Sequence, residues 1–299
     1  MDFTFNLSRP LDVSELEHVN IIKSLREHGI AVLRGYLHRQ TANDIATVAK
    51  YCCNDSFNAG FANFTEIRAR KLRHVTEFHS PFFVSAGATA VVANHSLIRL
   101  IEEYLGEPAV ITNSLFQVSR PRSDRAIDWH VDLGANKYLN PADAKYETRR
   151  LRSIVYLTDV ETGGLEYIVD STSAAHHFRL DDKASFAASV ADGLRESRDH
   201  QVLEPKGTLI LFDTHGLHRP APLNSERIVL NTWFGPKSSP FQSPPVLWCR
   251  ENLPSGSENI SYVFNGPRDF WRSVPLRGAV RAERKIFSWL RGKLVGFLS

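Results

Sequence analysis

The sequence predicts an α+β protein with a mainly β core, a barrel or sandwich of short strands that has a helical layer before it and a helix at its C-terminal end. Helical periodicity dominates the first hundred residues, whereas after Pro108 the chain becomes a series of short segments rich in β-branched and aromatic residues. With 299 residues, 42% of them apolar, the chain is long enough to bury a sizeable core.

The N-terminal part of the chain contains patterns for helices and one strand. Ser14 followed by Glu17 has the spacing of a capping box, and the apolar periodic run after it ends before Gly29. The next predicted elements are a buried strand and two helices, at 30–33, about 41–51 and 96–105.

After Pro108 the predicted elements are strands, each bounded by Gly, Pro, Asn or Asp. They cover 110–119, 129–132, 153–159, 165–169, 208–212 and 227–234. Residues 235–275 are rich in Pro, Ser and Gly, and a helical pattern returns at about Ala282. We therefore expect one domain over 1–299, divided into a helical layer (1–108), a β core (109–236) and a C-terminal segment (237–299).

Composition excludes several classes of protein. The 36 Lys and Arg against 33 Asp and Glu leave a net charge of +3, so no nucleic-acid partner is expected. No stretch approaches the ~18 apolar residues of a membrane-spanning helix, and the N-terminus lacks a secretory signal pattern. Cys52, Cys53 and Cys249 form neither a disulfide framework nor a CxxC pattern, so we expect a reducing, cytoplasmic compartment.

The C-terminal end is basic. Residues 268–299 contain eight basic and two acidic residues, a charge of +6, so the rest of the chain carries −3. Apolar residues recur there at helical spacing, although Gly292 and Gly296 weaken the helix. Two interpretations stay open: a helix that docks on the core or a second subunit, or an interfacial helix over 281–299 that lies on anionic membrane.

A candidate metal site is predicted around His130 and Asp132. Side chains two apart in a strand share a face, so this imidazole and this carboxylate can converge on one ion. The third ligand should be another His on a neighbouring strand, and His215 and His218 follow the strand at 208–212. Two His and one carboxylate form a facial triad with open positions, the arrangement of non-haem Fe(II) oxygenases.

Arg227 is a candidate binding residue nine positions after His218. It opens an apolar strand, and its planar guanidinium suits bidentate binding of a carboxylate. The alternative is a surface Arg that follows a turn. The functional interpretation is an ion pair with the distal carboxylate of 2-oxoglutarate.

Five stretches, taken in order, resemble the phytanoyl-CoA-hydroxylase-like (PhyH-like) branch of the Fe(II)/2-oxoglutarate-dependent oxygenases. They are the opening helix–Gly–strand, the HxD strand, the Gly turn with its following strand, the strand that leads to His218, and the segment that ends at Arg227. These stretches cover 26–37, 129–132, 162–169, 206–213 and 222–227. The resemblance spans roughly residues 16–234, about three quarters of the chain.

The resemblance implies a double-stranded β-helix, the jelly-roll or cupin-like fold, and an Fe(II)- and 2-oxoglutarate-dependent dioxygenase. It assigns Fe(II) to His130, Asp132 and His218, and the distal carboxylate of 2-oxoglutarate to Arg227. It indicates His218 rather than His215 as the second His ligand, because the nine-residue spacing from His218 to Arg227 fits the family. It implies that O2 and 2-oxoglutarate are consumed and succinate and CO2 released while a C–H of a small-molecule, sugar or lipid-linked substrate is hydroxylated.

Two features of this chain depart from that pattern, namely residues 169–172 and the additional His at position 215. Residues 169–172 stand where the branch usually has Pro-Gly-Ser-His, which reshapes the loop expected over the substrate. Asp132 is retained, whereas a Gly or Ala there would open a halide site, so hydroxylation is favoured over halogenation. His215 sits in the turn, where a solvated role or a supporting role beside the ligands is expected.

Other residues are assigned from their neighbourhoods. Asn113 and Gln117 lie four apart on the strand before the HxD segment, where amides hold 2-oxoglutarate or substrate in related enzymes; polar residues at the edge of the ladder are the alternative. Arg149, Arg150 and Arg152 are expected to form a solvated cluster, with recognition of an acidic substrate as the alternative. The remaining expectations are a surface pair at His176 and His177 and packing of Trp129 between the β core and the helices.

Two other functions stay open. One is a cupin-like isomerase or hydrolase that binds a metal without 2-oxoglutarate. The other is a non-catalytic jelly-roll binding protein. Arg227 and the open triad argue against both, and the sequence predicts neither the substrate nor the oligomeric state.

Overall fold

The computed structural model describes residues 3–54, 69–71, 74–122, 129–132, 150–172, 199–238, 246, 248, 252–256 and 262–264. The predicted C-terminal helix, the His176–His177 pair and Arg149 lie outside these ranges, so both interpretations of the basic tail stay predictions. No helix within the ranges combines the length and the apolar character that a membrane crossing requires.

The described residues contain the three predicted N-terminal helices and two short helices, at 81–84 and 86–92, that were not predicted. They are α1 (Glu15–His28), α2 (Arg39–Cys52), α3 (Pro81–Val84), α4 (Ala86–Val92) and α5 (His95–Leu105). At the start of α1, Ser14 and Glu17 form the complete capping box, each side chain accepting the main-chain N–H of the other residue. Gly29 ends the helix at φ 76°, and a Cβ there would lie 2.3 Å from the Tyr167 hydroxyl, so glycine is required twice over.

The strands form two sheets. They are β1 (Thr4–Asn6), β2 (Ile30–Arg34), β3 (Ala69–Lys71), β4 (Val75–Phe78), β5 (Ala109–Ser119), β6 (Leu151–Tyr156), β7 (Leu165–Ile168), β8 (Asp199–Val202), β9 (Leu209–Asp213), β10 (His218–Pro220) and β11 (Arg227–Pro236). The large sheet has the order β1-β2-β9-β6-β11-β5-β4-β3, and the small sheet has the order β10-β7-β8. Within the described ranges β1 and β2 are parallel and the other neighbours antiparallel.

The large sheet is covered on both faces, which is why its strands are apolar at successive positions. In β2, Ala31 and Leu33 pack with the helices, whereas Ile30 and Val32 belong to the apolar layer between the two sheets. Tyr167 of the small sheet joins that second layer. The predicted mainly β fold with a helical layer is therefore confirmed, and the space between the sheets is where inward-facing polar side chains meet.

One predicted strand is shorter than expected. Residues 129–132 form an isolated antiparallel bridge between His130 and His218 instead of a regular strand. The bridge still holds this segment beside β10, at the edge of the small sheet.

Candidate metal centre

The three predicted metal ligands lie together. The Nε2 atom of His130 is 3.8 Å from Oδ1 of Asp132, and the Nε2 atom of His218 is 3.7 Å from Oδ2. The ligand atoms of the three side chains all lie within 4.8 Å of one another. Two imidazoles and one carboxylate at this spacing can bind a single metal ion and leave positions on it open.

Main-chain hydrogen bonds hold the segment that carries two of the ligands. The His130 N–H donates to the His218 carbonyl at 3.1 Å, and the His218 N–H donates back at 3.0 Å. The Asp132 N–H donates to the Thr214 carbonyl at 2.9 Å. Because His130 and Asp132 are two residues apart, both side chains turn to the side on which His218 lies.

His218 is oriented as a metal ligand. Its Nδ1 lies 2.9 Å from the Gly216 carbonyl, which can only accept, so Nδ1 carries the proton and Nε2 carries the lone pair. Nε2 is buried and has no hydrogen-bond partner among the described residues. Burial lowers the pKa of His218, although the Asp132 charge opposes this, and the imidazole is therefore neutral near pH 7, the form that binds a metal.

Asp132 is held as an ionised carboxylate. Its Oδ2 accepts the indole N–H of Trp233 at 3.1 Å and a guanidinium N–H of Arg152 at 3.4 Å. Burial by itself raises the pKa of Asp132, but the electrostatic interactions with His218, Arg152 and His130 and the Trp233 hydrogen bond outweigh it, so the pKa is lowered. The negative charge that a cation requires is thus present near neutral pH.

A cavity of about 260 Å³ joins the three ligands to Arg227. Only 8% of Arg227 is exposed, so the alternative of a surface Arg is excluded. One Nη donates to the Gly163 carbonyl, while Nε is buried without a hydrogen-bond partner among the described residues. No carboxylate of those residues forms an ion pair with it, and burial lowers its pKa. A buried guanidinium in this state is suited to an anion that enters the cavity.

Local geometry places Arg227. It is the first residue of β11 and pairs with Ser119 of β5. Its carbonyl partner Gly163 has φ 70°, and a Cβ there would lie 2.1 Å from the Cβ of Leu223. Glycine is therefore needed for the turn that presents this carbonyl to the guanidinium.

Gln117 and Asn113 share a strand face but occupy different places. Gln117 pairs with Val229 and lines the cavity, and its Oε1 accepts the Asn231 amide at 2.7 Å. Asn113 pairs with Trp233 and does not contribute to the lining formed by the described residues. Of the two amides, Gln117 is the one adjacent to the space in which a small molecule would bind.

Arg152 corrects one expectation. It was expected in a solvated cluster, but 15% of its side chain is exposed and its Nη1 contacts Asp132. In β6 it lies on the same face as Ile154 and Tyr156, and all three side chains line the cavity.

Asn231 and Trp233 are site residues that the sequence interpretation did not include. They lie four and six positions after Arg227 in β11, and all of these side chains line the cavity. Period-2 alternation along that strand is the sequence pattern that predicts their shared face.

His215 lies outside the metal cluster. Its Nδ1 is 3.0 Å from Oδ1 of Asp213, and that oxygen also accepts the His215 N–H at 2.9 Å. The hydroxyl of Tyr104, on α5, donates to the other oxygen at 2.5 Å. His215 is buried, so the expected solvated role is wrong. It contacts Asp213, and Asp213 joins the β core to the helical layer through Tyr104.

Trp129 also differs from its expected packing. It was expected between the β core and the helices, but it packs with Ile168 and Leu217 at the small sheet. The guanidinium carbon of Arg219 lies 4.1 Å from the centre of its ring, a cation–π contact. Arg219 is in turn paired with Glu166 on β7.

Residues 169–172 are tied to the elements around them. The Ser171 hydroxyl donates to the Ile168 carbonyl and accepts the Leu217 N–H at 2.8 Å, one residue before His218. Asp170, at φ 63°, pairs with Nδ1 of His28 at 2.9 Å. The Ser171 contact holds the residue before His218, and the Asp170 contact joins this segment to the end of α1.

No family model matches the chain, and no curated protein matches it. Solved structures do. The epimerase SnoN from nogalamycin biosynthesis, in complex with Fe3+, alpha ketoglutarate and nogalamycin RO, has a TM-score of 0.55 at 12% identity over 75% of this chain and 85% of its own. The non-heme alpha ketoglutarate dependent carbocyclase SnoK, also from nogalamycin biosynthesis, has a TM-score of 0.54 at 13% identity, over 72% of this chain and 82% of its own. AviO1 from Streptomyces viridochromogenes Tue57 has a TM-score of 0.51 at 16% identity, over 77% of this chain and 100% of its own.

The chain therefore has the fold of non-heme alpha ketoglutarate dependent enzymes, which confirms the predicted jelly-roll class. At these identities the likeness concerns the fold and not the reaction. Membership of the PhyH-like branch stays a prediction, since no family model matches.

Proposed function

We propose that the protein is an Fe(II)- and 2-oxoglutarate-dependent oxygenase that oxidises a C–H bond of a small molecule and releases succinate and CO2. One observation carries this proposal. The Nε2 atom of His218, which has no hydrogen-bond partner among the described residues, faces His130 and Asp132 in the same cavity that contains the buried guanidinium of Arg227. A metal site and an anion site thus share one space.

The three ligands fit Fe(II). A neutral imidazole at His218, a second imidazole at His130 and an ionised Asp132 supply two nitrogen ligands and one anionic oxygen. This donor set leaves open positions on a non-haem Fe(II) ion. The Gly216 carbonyl fixes the tautomer of His218 before any metal arrives, as is usual for metal-binding His.

Arg227 fits 2-oxoglutarate. Its guanidinium offers a planar fork of N–H donors, and the carboxylate far from the keto group is its natural partner. Gln117 can add a neutral polar contact from the adjacent strand, whereas Asn113, the other predicted amide, does not contribute to the lining formed by the described residues. A buried Arg without a carboxylate partner among the described residues supports an anionic ligand in the cavity, and 2-oxoglutarate is such a ligand.

Iron and 2-oxoglutarate, when bound, supply the oxidising power of the reaction together with O2. The chain's own residues bind and orient these groups and exclude water from the cavity. Asp132 is the carboxylate ligand, so the proposed outcome is hydroxylation rather than halogenation. SnoN and SnoK are an epimerase and a carbocyclase, so this fold carries other reactions as well, and product analysis is part of the test.

Succinate release coupled to O2 uptake tests the proposal. Purified protein with Fe(II), 2-oxoglutarate and a substrate library should release succinate in proportion to O2 consumed, and the product should differ from the substrate by an oxidation. The same assay with His218→Ala is the control and should show none. If no compound in the library is oxidised, but one is isomerised or hydrolysed in a metal-dependent reaction, the cupin-like alternative is favoured.

A further inference from the structure

The carboxylate ligand Asp132 is hydrogen-bonded on one oxygen only. Oδ2 receives the Trp233 indole N–H at 3.1 Å and the Arg152 Nη1 N–H at 3.4 Å. No N–H or O–H of the described residues donates to Oδ1, whose near neighbour is Nε2 of His130. Oδ1 lies 3.8 Å from that atom, and Oδ2 lies 3.7 Å from Nε2 of His218. These distances are nearly equal, so they do not show which oxygen binds the metal. The hydrogen-bond donors, which all lie on Oδ2, do distinguish the two oxygens.

The two donors are themselves held in place. Trp233 of β11 and Arg152 of β6 pair opposite each other in the large sheet, and the guanidinium carbon lies 4.1 Å from the centre of the indole ring. The Nη2 of Arg152 donates to Oδ1 of Asn231 at 3.2 Å. The Asn231 amide donates in turn to Oε1 of Gln117 at 2.7 Å. Three strands therefore fix the direction from which Oδ2 is approached.

We propose that Trp233 and Arg152 are positioning residues that make Asp132 a one-oxygen ligand. A carboxylate oxygen has about two lone-pair sites, and two N–H donors occupy those of Oδ2. Oδ1 is then the oxygen left for the metal. This inference rests on the proposed function, and it adds that the sheet prevents Asp132 from taking a second position on the metal.

The consequence concerns the co-substrate. If Oδ2 were released, Asp132 could offer both oxygens to the ion and close one of the positions that 2-oxoglutarate and O2 require. Trp233 and Arg152 would then affect 2-oxoglutarate binding through the coordination of Asp132. A residue that acts only on folding has no such effect.

Trp233→Phe is the test variant, because it removes the N–H and keeps an aromatic ring under Arg152. Trp129→Phe is the matched control, since Trp129 also lies 4.1 Å from a guanidinium, that of Arg219, and its N–H donates to none of the described residues. Co(II) is the probe, and its binding and visible absorption are measured on the full chain. We expect the visible absorption of Co(II) bound to Trp233→Phe to differ from that of the wild type, because the second oxygen of Asp132 can then bind the metal, and that of Trp129→Phe to match the wild type.

A second measurement separates positioning from folding. The Kd of 2-oxoglutarate for the Co(II)-saturated protein should rise in Trp233→Phe but not in Trp129→Phe, and the Co(II) spectrum should change with the coordination number. If Trp233→Phe does not fold, as judged by circular dichroism, Arg152→Lys replaces it, because it keeps the charge and loses the fork that joins Asp132 to Asn231.

The outcomes distinguish this inference from the proposed function. If Co(II) binding requires His218 and supports 2-oxoglutarate binding, but the folded test variant matches the wild type in its Co(II) spectrum and in 2-oxoglutarate binding, the positioning role is wrong and the oxygenase proposal stands. If wild type and His218→Ala bind Co(II) equally, the metal site itself is wrong, and this inference falls with it.

Discussion

The main chains of His130 and His218 are hydrogen-bonded to each other in both directions, at 3.1 and 3.0 Å, and their rings lie 4.4 Å apart between centres. These bonds do not involve either side chain. The two proposed nitrogen ligands are therefore placed by the backbone, and their side chains can be changed without removing the bridge that brings the segments together.

Replacement of a ligand should separate activity from folding. We expect His130→Ala, Asp132→Ala and His218→Ala each to lose iron-dependent succinate formation, because each removes one of three protein donors. Circular dichroism and thermal unfolding should show that His130→Ala stays folded, since its side chain is partly exposed and its main-chain bonds remain. Full activity in any of the three folded variants contradicts the assignment.

His215→Ala should retain activity and lose stability, the opposite of the result expected for a replaced metal ligand. The His215 imidazole contacts the buried Asp213 and not the metal cluster, so iron binding and turnover should remain measurable. Loss of this partner should lower the free energy of unfolding by about 1–3 kcal/mol, measured by urea titration. His218→Ala, three residues later, is the matched comparison. An inactive His215→Ala beside an active His218→Ala would reverse the choice of the second nitrogen ligand.

The stability of the protein should depend on pH through Asp213. Burial raises its pKa, but the hydrogen bonds from His215 and Tyr104 outweigh burial, so the pKa of the folded state lies below the ordinary 3.8. A carboxylate with a lowered pKa stabilises the fold above its unfolded pKa, and this contribution is lost as the pH falls through the folded pKa. Tyr104→Phe should therefore destabilise the protein by about 1.5–3 kcal/mol at pH 7.

The pH dependence provides the check. The difference in unfolding free energy between wild type and Tyr104→Phe should be constant above about pH 5 and shrink as the pH falls below 3.8, because the carboxyl group becomes protonated in both states. Tyr36→Phe is a suitable control, since its hydroxyl donates to the Val91 carbonyl and no carboxylate. A difference that stays the same down to pH 2 would show that Tyr104 acts through packing alone.

The sequence predicted the parts of the site that follow from local periodicity. His130 and Asp132 are two residues apart, and Arg227 begins an apolar strand, so the direction of these side chains depends on short stretches of chain. The capping box at Ser14 and the helix end at Gly29 were predicted for the same reason. His215 and His218 were both candidates for the third ligand, the resemblance favoured His218, and the structure brings His218 to the cluster.

The parts that depend on which strands are neighbours could not be predicted. Arg152 reaches Asp132 because β6 pairs with β11 and places it opposite Trp233, which is 81 positions away in sequence. No local pattern encodes that pairing, and a cluster of Arg residues before a strand is usually solvated. Trp129 was assigned to the helices for a similar reason, because its partner Arg219 is brought beside it by a bridge between distant segments.

Asn113 shows a further limit of periodicity. It shares a face with Gln117 as predicted, yet four residues along a strand are about 13 Å, and Trp233 stands opposite it. We expect Gln117→Ala to raise the KM for 2-oxoglutarate and Asn113→Ala to leave it unchanged. Of these two residues, Gln117 belongs to the cavity lining formed by the described residues and Asn113 does not. Steady-state kinetics with varied 2-oxoglutarate decide this, and equal effects of both changes would contradict it.

Arg227 is the residue whose replacement tests the co-substrate most directly. Arg227→Ala removes the charged fork from the cavity, and a charge-assisted contact of this kind contributes about 1.5–3 kcal/mol. We therefore expect the KM for 2-oxoglutarate to rise by about 10- to 100-fold. Co(II) affinity should stay near the wild-type value, because the three proposed metal ligands are untouched.

Two further measurements show whether the effect of Arg227 depends on a carboxylate. Arg227→Lys keeps the charge without the fork, so its KM should lie between those of wild type and Arg227→Ala. Pyruvate has the keto acid of 2-oxoglutarate but no distal carboxylate, so its binding to the Co(II)-loaded protein should be equally weak in wild type and Arg227→Ala. If Arg227→Ala leaves the KM for 2-oxoglutarate unchanged, or weakens pyruvate binding as strongly, Arg227 does not bind the distal carboxylate.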